Sequence, residues 1–415
     1  MTEKYLSTDS YKGVRDFYPE DMAIQRYIFS TWAKTAERYG FERYDASILE
    51  PSALYKAKGA ENEEMVNEQT YTFIDRGDRE VTLRPEMTPS VARMVAGQRH
   101  ELSFPLRWYS IPNLFRYERP QRGRLREHCQ LNCDIFGASH YTADVELISL
   151  AYQTLIDFGA KPDMFEIRVN SRKLMQEQIS DKLISPDLLP DYLRLVDKKA
   201  KISNDEFIKE EKKLIKDGAS VAIVINDKVS QVLQGLISLG IQNAKFDSTI
   251  TRGFNYYTDT VFEVFDVSGE NNRAMLGGGR YDNLTEMFGG EAISGIGFGM
   301  GDVTMRDFLE THKLIPEYIR STAPHVIVIP MTEEENMPAE LIAQHIRKAG
   351  ITVSTDIGIR KVGKKIGDAS TRGARFIIVI GENEVSSKQL TIKNLLSGEE
   401  HTGELGSLMN YLDVK

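Results

Sequence analysis

Phe115 to Gly137 reads FRYERPQRGRLREHCQLNCDIFG. Two apolar runs bracket a basic loop. Leu106, Trp108, Ile111, Leu114 and Phe115 lead into it with β-favouring side chains. Pro120, Gln121 and Gly123 supply turn chemistry among Arg119, Arg122, Arg124 and Arg126. The return run, Leu131 to Phe136, is apolar and alternating, so the stretch predicts strand, basic turn, strand. Guanidinium forks suit phosphate and carboxylate. A solvated edge hairpin is the alternative. Against it stand Glu118, Gln130 and Asp134, which set carboxylates and a neutral polar group among the cations. That mixture suits a zwitterion held beside a polyphosphate.

Outward from this stretch, the chain has 415 residues, 41% hydrophobic and 27% charged, which predicts two or three domains with real cores. No run has the apolar length of a bilayer span, so no membrane partner is expected. The first residues, MTEKYLSTDSYKG, lack a secretory apolar region. Cys129 and Cys133 are the two cysteines. With His128 they hint at metal ligation, but no second ligand pair accompanies them, so the expectation is no metal site, two reduced thiols on a core strand and a cytoplasmic protein. The formal net charge of −9 means that a nucleic-acid partner must be met by local basic patches.

Ile24, Ile28, Trp32 and Ala36 recur at helical spacing between Met22 and Tyr39, and Gly40 ends that helix. Thr70 to Thr88 predicts a hairpin turning at Arg76-Gly77-Asp78, with Glu86 at its end and a helix from about Pro89. A carboxylate there suits an ammonium group, or simply the helix's first turn. Asp144 to Phe158 predicts a helix. FEIRVNSRKLMQEQI predicts a strand and a helix, and Ser180 to about Asp247 is helical and highly charged, an inserted subdomain. Its lysines are balanced by acids, which favours a solvated face over contact with a nucleic acid. Strands resume at Thr251. Gly277 to Gly279 permit close backbone approach, and with Arg252, Tyr256, Tyr257 and Tyr281 they form a candidate pocket wall. From Pro324 strands alternate with helices, predicting a small α/β domain with a largely parallel sheet. Within it, Arg360, Lys361, Lys364, Lys365, Arg372 and Arg375 face only Asp368 in sequence, a candidate polyanion face.

Taken together, these stretches resemble the class II aminoacyl-tRNA synthetases, and among them the histidyl-tRNA synthetases, over essentially the whole chain. GVRDFYPED with its helix and strand looks like the dimer element, motif 1. The Phe115–Gly137 stretch looks like motif 2. RGFNYYTDTVFE and LGGGRYDNL are similar to the two histidine-specific signatures. The resemblance implies an α+β fold: a class II antiparallel sheet with flanking helices (1–165 and 251–320), a helical insertion (166–250) and a C-terminal α/β anticodon-binding domain (324–415). It implies a homodimer that activates L-histidine with ATP and Mg²⁺ and esterifies tRNA(His). A non-catalytic histidine sensor or tRNA-binding protein is the other reading.

The resemblance also implies roles. Arg116 and Arg252 hold the α-phosphate from opposite faces. Glu118 stands at the adenine end, and Arg124 at the terminal phosphates. Glu86, Thr88 and Gln130 grip the histidine ammonium and carboxylate, Asp134 and Tyr257 read the imidazole, and Tyr281 closes the pocket. Arg360, Lys361, Lys364 and Lys365 contact tRNA. Three positions depart from the family pattern: Asn255 for Asp, Asp259 for a small residue, and Thr304 where motif 3 carries an arginine. In the last case ATP is held without that arginine, or Arg306 or another cation substitutes, or the protein does not activate histidine.

Overall fold

A computed structural model describes residues 6–57, 69–179, 203–215, 225–251, 256–271, 273–320 and 323–412, with 184, 188, 191–192 and 195–196 between them. Two units are present: Met1–Asp16 with Gln25–Ile315, and Phe17–Ile24 with Pro316–Lys415.

The first helix, α1 (Pro19–Arg38), starts with acidic residues that suit its positive N-terminal end. It buries the expected Ile24, Ile28, Trp32 and Ala36. Gly40 ends it with a left-handed φ of 78°. Strands β1 (Glu42–Arg43) and β2 (Leu49–Pro51) and the short helix α2 (Ala53–Lys56) follow. The expected hairpin is β3 (Tyr71–Ile74) and β4 (Glu80–Leu83). Its turn is built by Asp75, whose Oδ1 accepts from the backbone N–H of Gly77 at 2.8 Å and of Arg79 at 3.0 Å. With β2 the hairpin makes a three-stranded sheet. Helix α3 (Thr88–Gly97) begins where the hairpin ends.

The main sheet collects β1, β5 (Leu106–Ser110), β7 (Glu127–Phe136), β12 (Gly295–Gly301), β11 (Ala274–Arg280), β10 (Thr260–Asp266), β8 (Phe165–Ser171) and β9 (Ala244–Phe246) in that order, with β6 (Asn113–Phe115) paired to β7. From β5 to β8 every ladder is antiparallel, and the two outer ladders, β1 with β5 and β8 with β9, are parallel. The return run does not alternate: Leu131 to Phe136 is buried without a break. Helices α4 (Tyr141–Asp157) and α8 (Asp302–Thr311) both pack on β7, and its first four residues are only half-buried.

The span 166–250 is not helical throughout. Strands β8 and β9 lie in it, and both are rungs of the main sheet. Its described helices are α5 (Arg172–Ile179), α6 (Asn204–Leu214) and α7 (Asp227–Ser238), the last packed on α4. Phe207 of α6 joins Met175, Tyr192 and Val196 in a small core of its own.

In the second unit, β13 (Val326–Pro330) pairs in parallel with β14 (Val353–Thr355) and β15 (Phe376–Ile380). Strands β16 (Leu390–Asn394) and β17 (Glu400–Gly403) add antiparallel rungs, so this sheet is mixed rather than largely parallel. Strands β16 and β17 form a hairpin, which needs only a short turn, whereas a parallel rung needs a crossover of about a dozen residues or more, longer than the link between β15 and β16. Val326 and Val328 pack with Ala339, Ala343 and Ile346 of α9 (Asn336–Lys348). Ile327 and Ile329 pack on the other face with Ala369 of α10 (Val362–Thr371). Helices α11 (Glu382–Ser387) and α12 (Leu405–Leu412) complete the unit. Among the described residues no helix is long and apolar enough to cross a membrane.

Candidate active site

At the middle of the main sheet, glycines replace side chains at alternate positions of β12. Gly297 sits opposite Asp134, Gly299 opposite Asn132 and Gly301 opposite Gln130. A Cβ on Gly297 would fall on Asp134 Oδ1 and come within 2.8 Å of the Tyr281 hydroxyl, and one on Gly299 would fall on the Gln130 amide. These glycines make room for the Asp134, Tyr281 and Gln130 side chains, and above the sheet lies a small recess lined by Glu86, Thr88, Arg116, Gln130, Tyr257 and Tyr281 among others.

One wall comes from the end of the β3–β4 hairpin. Glu86 is buried, and its Oε2 accepts from the Tyr256 hydroxyl at 3.0 Å. Thr88, at the start of α3, also bonds the Tyr256 hydroxyl. Burial and the charge of Glu86 hold the Tyr256 phenol well above its usual pKa, so it remains a donor. The rings of Tyr256 and Tyr257 tilt against each other with centroids 4.8 Å apart. Behind them the Tyr281 hydroxyl donates to Asp134 Oδ1. Burial pushes the Asp134 carboxyl up to about 7, against the lowering effect of that bond. Asp134 therefore titrates near neutrality, one layer behind the recess.

The basic arm forms the far wall. Arg116 donates from Nε to Pro85 O at 2.8 Å, which fixes its guanidinium beside the hairpin end. The turn closes through paired backbone bonds between Gln121 and Arg124, with Gly123 at a φ of 75° as its third residue requires. Arg124 pairs with Glu118, Nε to Oε2 at 3.2 Å. The arm's cations are not equivalent. Arg126 is buried and donates to the Tyr11 hydroxyl, Lys12 O and Glu118 O, with its guanidinium 4.0 Å from the Tyr117 ring centroid. It is structural. Burial, then the charges of Arg116 and Arg15, push His128 down to about 3, so it stays neutral. Both cysteines are free thiols; burial, then the Asp302 charge, push Cys129 up to about 12, which leaves it unreactive.

The fold thus brings Glu86, Thr88, Arg116, Gln130, Tyr257 and Tyr281 to one recess, sets Asp134 behind it, and places Glu118 with Arg124 further out on the arm. Arg252 lies outside the described residues. Asn132 and Phe298 also line the recess and were not singled out by the motifs. Their signal was the period-two glycine pattern of GIGFGMG, which marks a strand approached closely on one face.

Residues 13–217 and 182–302 match the family model described as histidyl-tRNA synthetase, and residues 325–415 match the anticodon binding domain. The chain belongs to the histidyl-tRNA synthetase family. It is similar to the histidine–tRNA ligase of Leptospira biflexa, at 40% identity over 97% of this chain and 96% of that one. It is also similar to that of Thermoplasma volcanium, at 37% over 98% and 99%. The apo histidyl-tRNA synthetase of S. aureus shares the fold with a TM-score of 0.76 at 25% identity, covering 98% of this chain and 100% of that one. The enzyme from Nostoc sp. PCC 7120 matches with a TM-score of 0.79 at 22% identity, over 98% and 99%.

Two departures from the histidyl-tRNA synthetase pattern have a visible use. Asp259 accepts from Ser171 Oγ at 2.6 Å and from Lys228 Nζ at 2.5 Å, tying the end of β8 to α7. Thr304 donates its hydroxyl to Met275 O at 3.0 Å, while Arg306 turns along α8 to Glu310 Oε1 at 2.9 Å. In the unit that matches the anticodon binding domain, the four residues read as tRNA contacts separate. Lys361 and Lys364 are exposed. Arg360 is tied to Asp356 and Asp368. Lys365 is buried, with Nζ donating to Pro330 O and Asp356 O at 3.0 and 2.9 Å, which corrects its reading as a tRNA contact.

Proposed function

We infer that this chain is a histidine–tRNA ligase, forming histidyl-adenylate from L-histidine and ATP and passing the histidyl group to the 3′ end of tRNA(His). The observation that carries this reading is the meeting of a buried carboxylate, Glu86, and a guanidinium, Arg116, on one glycine-floored recess. An amino acid presents an ammonium to the first and a carboxylate, then a phosphate, to the second.

In the first step a histidine carboxylate oxygen attacks the α-phosphorus. The new O–P bond forms as the bond to the β-phosphate breaks, and pyrophosphate leaves. Arg116 stabilises the charge that develops on the α-phosphate, with Arg252 assigned to the opposite face. Glu86, with Thr88 and Gln130, orients the zwitterion. Glu118 stands at the adenine end and Arg124 at the outer phosphates. Tyr257 meets the imidazole, and Tyr281 carries the influence of Asp134 to the same ring, so that donor and acceptor are both available. In the second step a terminal ribose hydroxyl of the tRNA attacks the carbonyl carbon, releasing AMP and a proton. Mg²⁺ arrives with ATP as part of the substrate. Its ligands would be the phosphate oxygens, as the family resemblance implies.

Ile48, Leu49, Phe73 and Ile74 stand exposed beside the three-stranded sheet, and a second copy covering them suits the homodimer read from motif 1. Two free thiols suit a cytoplasmic location.

The test is histidine-dependent ATP–pyrophosphate exchange on wild type and Arg252→Ala. Exchange that falls at least 100-fold in the variant supports adenylation and the role of Arg252. A folded wild type that binds histidine without any exchange overturns the ligase reading in favour of a sensor or a tRNA-binding protein.

A further inference from the structure

Arg273 stands immediately before β11, and its Cδ lies 3.4 Å from where a Cβ on Gly123 would be. Thr304 Cγ2 lies 3.5 Å from the same point. The arginine and the threonine therefore flank one turn, the tip of the basic arm. Thr304 spends its hydroxyl on Met275 O and brings no charge. Arg306 is held along α8 by Glu310. Arg273 is half-buried, and among the described residues no carboxylate lies within ion-pair distance of it. Its immediate electrostatic neighbours are Arg124, which repels it, and Glu118, which attracts it but already pairs with Arg124. Burial, then the Arg124 charge, lower the Arg273 pKa.

Two guanidiniums sharing one carboxylate, partly withdrawn from water, leave an uncompensated positive charge that a multivalent anion relieves. Along β11, Arg273 is four residues from Gly277 in the recess, roughly 13 Å at the usual rise per residue. Arg273 therefore stands outside the recess that Arg116 lines, beside Arg124, the residue read as meeting the terminal phosphates.

We propose that Arg273 and Arg124 together seat the outer phosphates of the nucleotide, Arg273 supplying the cation that the family pattern places at position 304. The proposal rests on the ATP-site reading above and adds a residue to it. Gly123 gives the turn its left-handed φ of 75° and sets its tip beside both Arg273 and Thr304.

The experiment measures the KM for ATP in pyrophosphate exchange, together with equilibrium binding of ATP and of inorganic tripolyphosphate, on the full chain. Arg273→Ala raises the KM for ATP and weakens tripolyphosphate at least 10-fold, with the KM for histidine within twofold. Arg306→Ala changes neither. Arg273→Ala combined with Thr304→Arg recovers most of the ATP affinity. If Arg273→Ala unfolds, Arg273→Gln keeps the length without the charge, and unchanged histidine binding certifies its fold. An active wild type whose ATP and tripolyphosphate affinities ignore Arg273 overturns the proposal and leaves the ligase reading intact. A wild type without exchange whose tripolyphosphate binding still depends on Arg273 overturns the ligase reading and supports the phosphate seat. A wild type that binds neither anion overturns both.

Discussion

Asp134 lies between Trp108 of β5 and Gly297 of β12, with the Tyr281 hydroxyl on its carboxylate. Its folded pKa, about 7, is above the ordinary value of 3.8. Between those two values the folded chain holds a proton that the unfolded chain has lost, so stability falls as pH rises from about 4 to about 7 and levels off beyond it. Asp134→Asn keeps the acceptor for Tyr281 and removes the titration. We expect urea midpoints of the wild type to fall across that window by more than those of the variant. Parallel curves would show that Asp134 does not titrate there. At this scale the sequence was legible for residue type: a carboxylate in an apolar run, followed by glycines at alternate positions further on. It could not say that β12 places Gly297 against that carboxylate, because register between strands more than a hundred residues apart is a tertiary property.

Among the elements, β11 shows how one strand divides its labour. Its period of two sends successive side chains to opposite faces. Gly277 and, just past the strand, Tyr281 serve the recess, while Arg280 turns away to α4, where it pairs with Asp144 and donates to Ala138 O at 2.9 Å and Ser294 Oγ at 2.7 Å. Both partners of that ion pair are essentially inaccessible to solvent. Removing one leaves the other as a buried uncompensated charge, which typically costs about 3–5 kcal/mol. Asp144→Ala should therefore destabilise the first unit by about that much in urea unfolding, and Asp144→Leu with Arg280→Met should recover a large part. Equal losses in the single and double variants would show that the pair itself, not the stranded charge, matters. The stretch LGGGRYDNL was legible as a pocket wall, but only the fold reveals that its arginine serves the opposite face.

For the whole molecule, the question is how a chain of net charge −9 meets a polyanion. Its cations divide by use. Arg126, Arg280 and Lys365 are buried and tied to carbonyls, a hydroxyl or a carboxylate. In the second unit Lys361, Lys364, Arg372 and Arg375 remain exposed around α10. Lys361→Glu with Lys364→Glu should leave histidine-dependent exchange unchanged while raising the KM for tRNA in aminoacylation about 10-fold. The salt dependence of tRNA binding should weaken by about one to two in log–log slope. Undiminished aminoacylation in the double variant would exclude this face as a tRNA contact.

By itself the sequence determined the local structure: α1 from its four-residue spacing, the hairpin from its Arg-Gly-Asp turn, the basic arm from its turn residues between apolar runs. It also determined the family, because the residues that carry the chemistry recur as contiguous motifs. Local preferences act over a few residues, which is why those readings survive folding. The tertiary structure alone decided which charges are free. Asp144 neutralises Arg280, and Glu118 neutralises Arg124 but not Arg273. A charge acts through whatever stands opposite it after folding, and in this sheet that neighbour comes from a distant strand or helix.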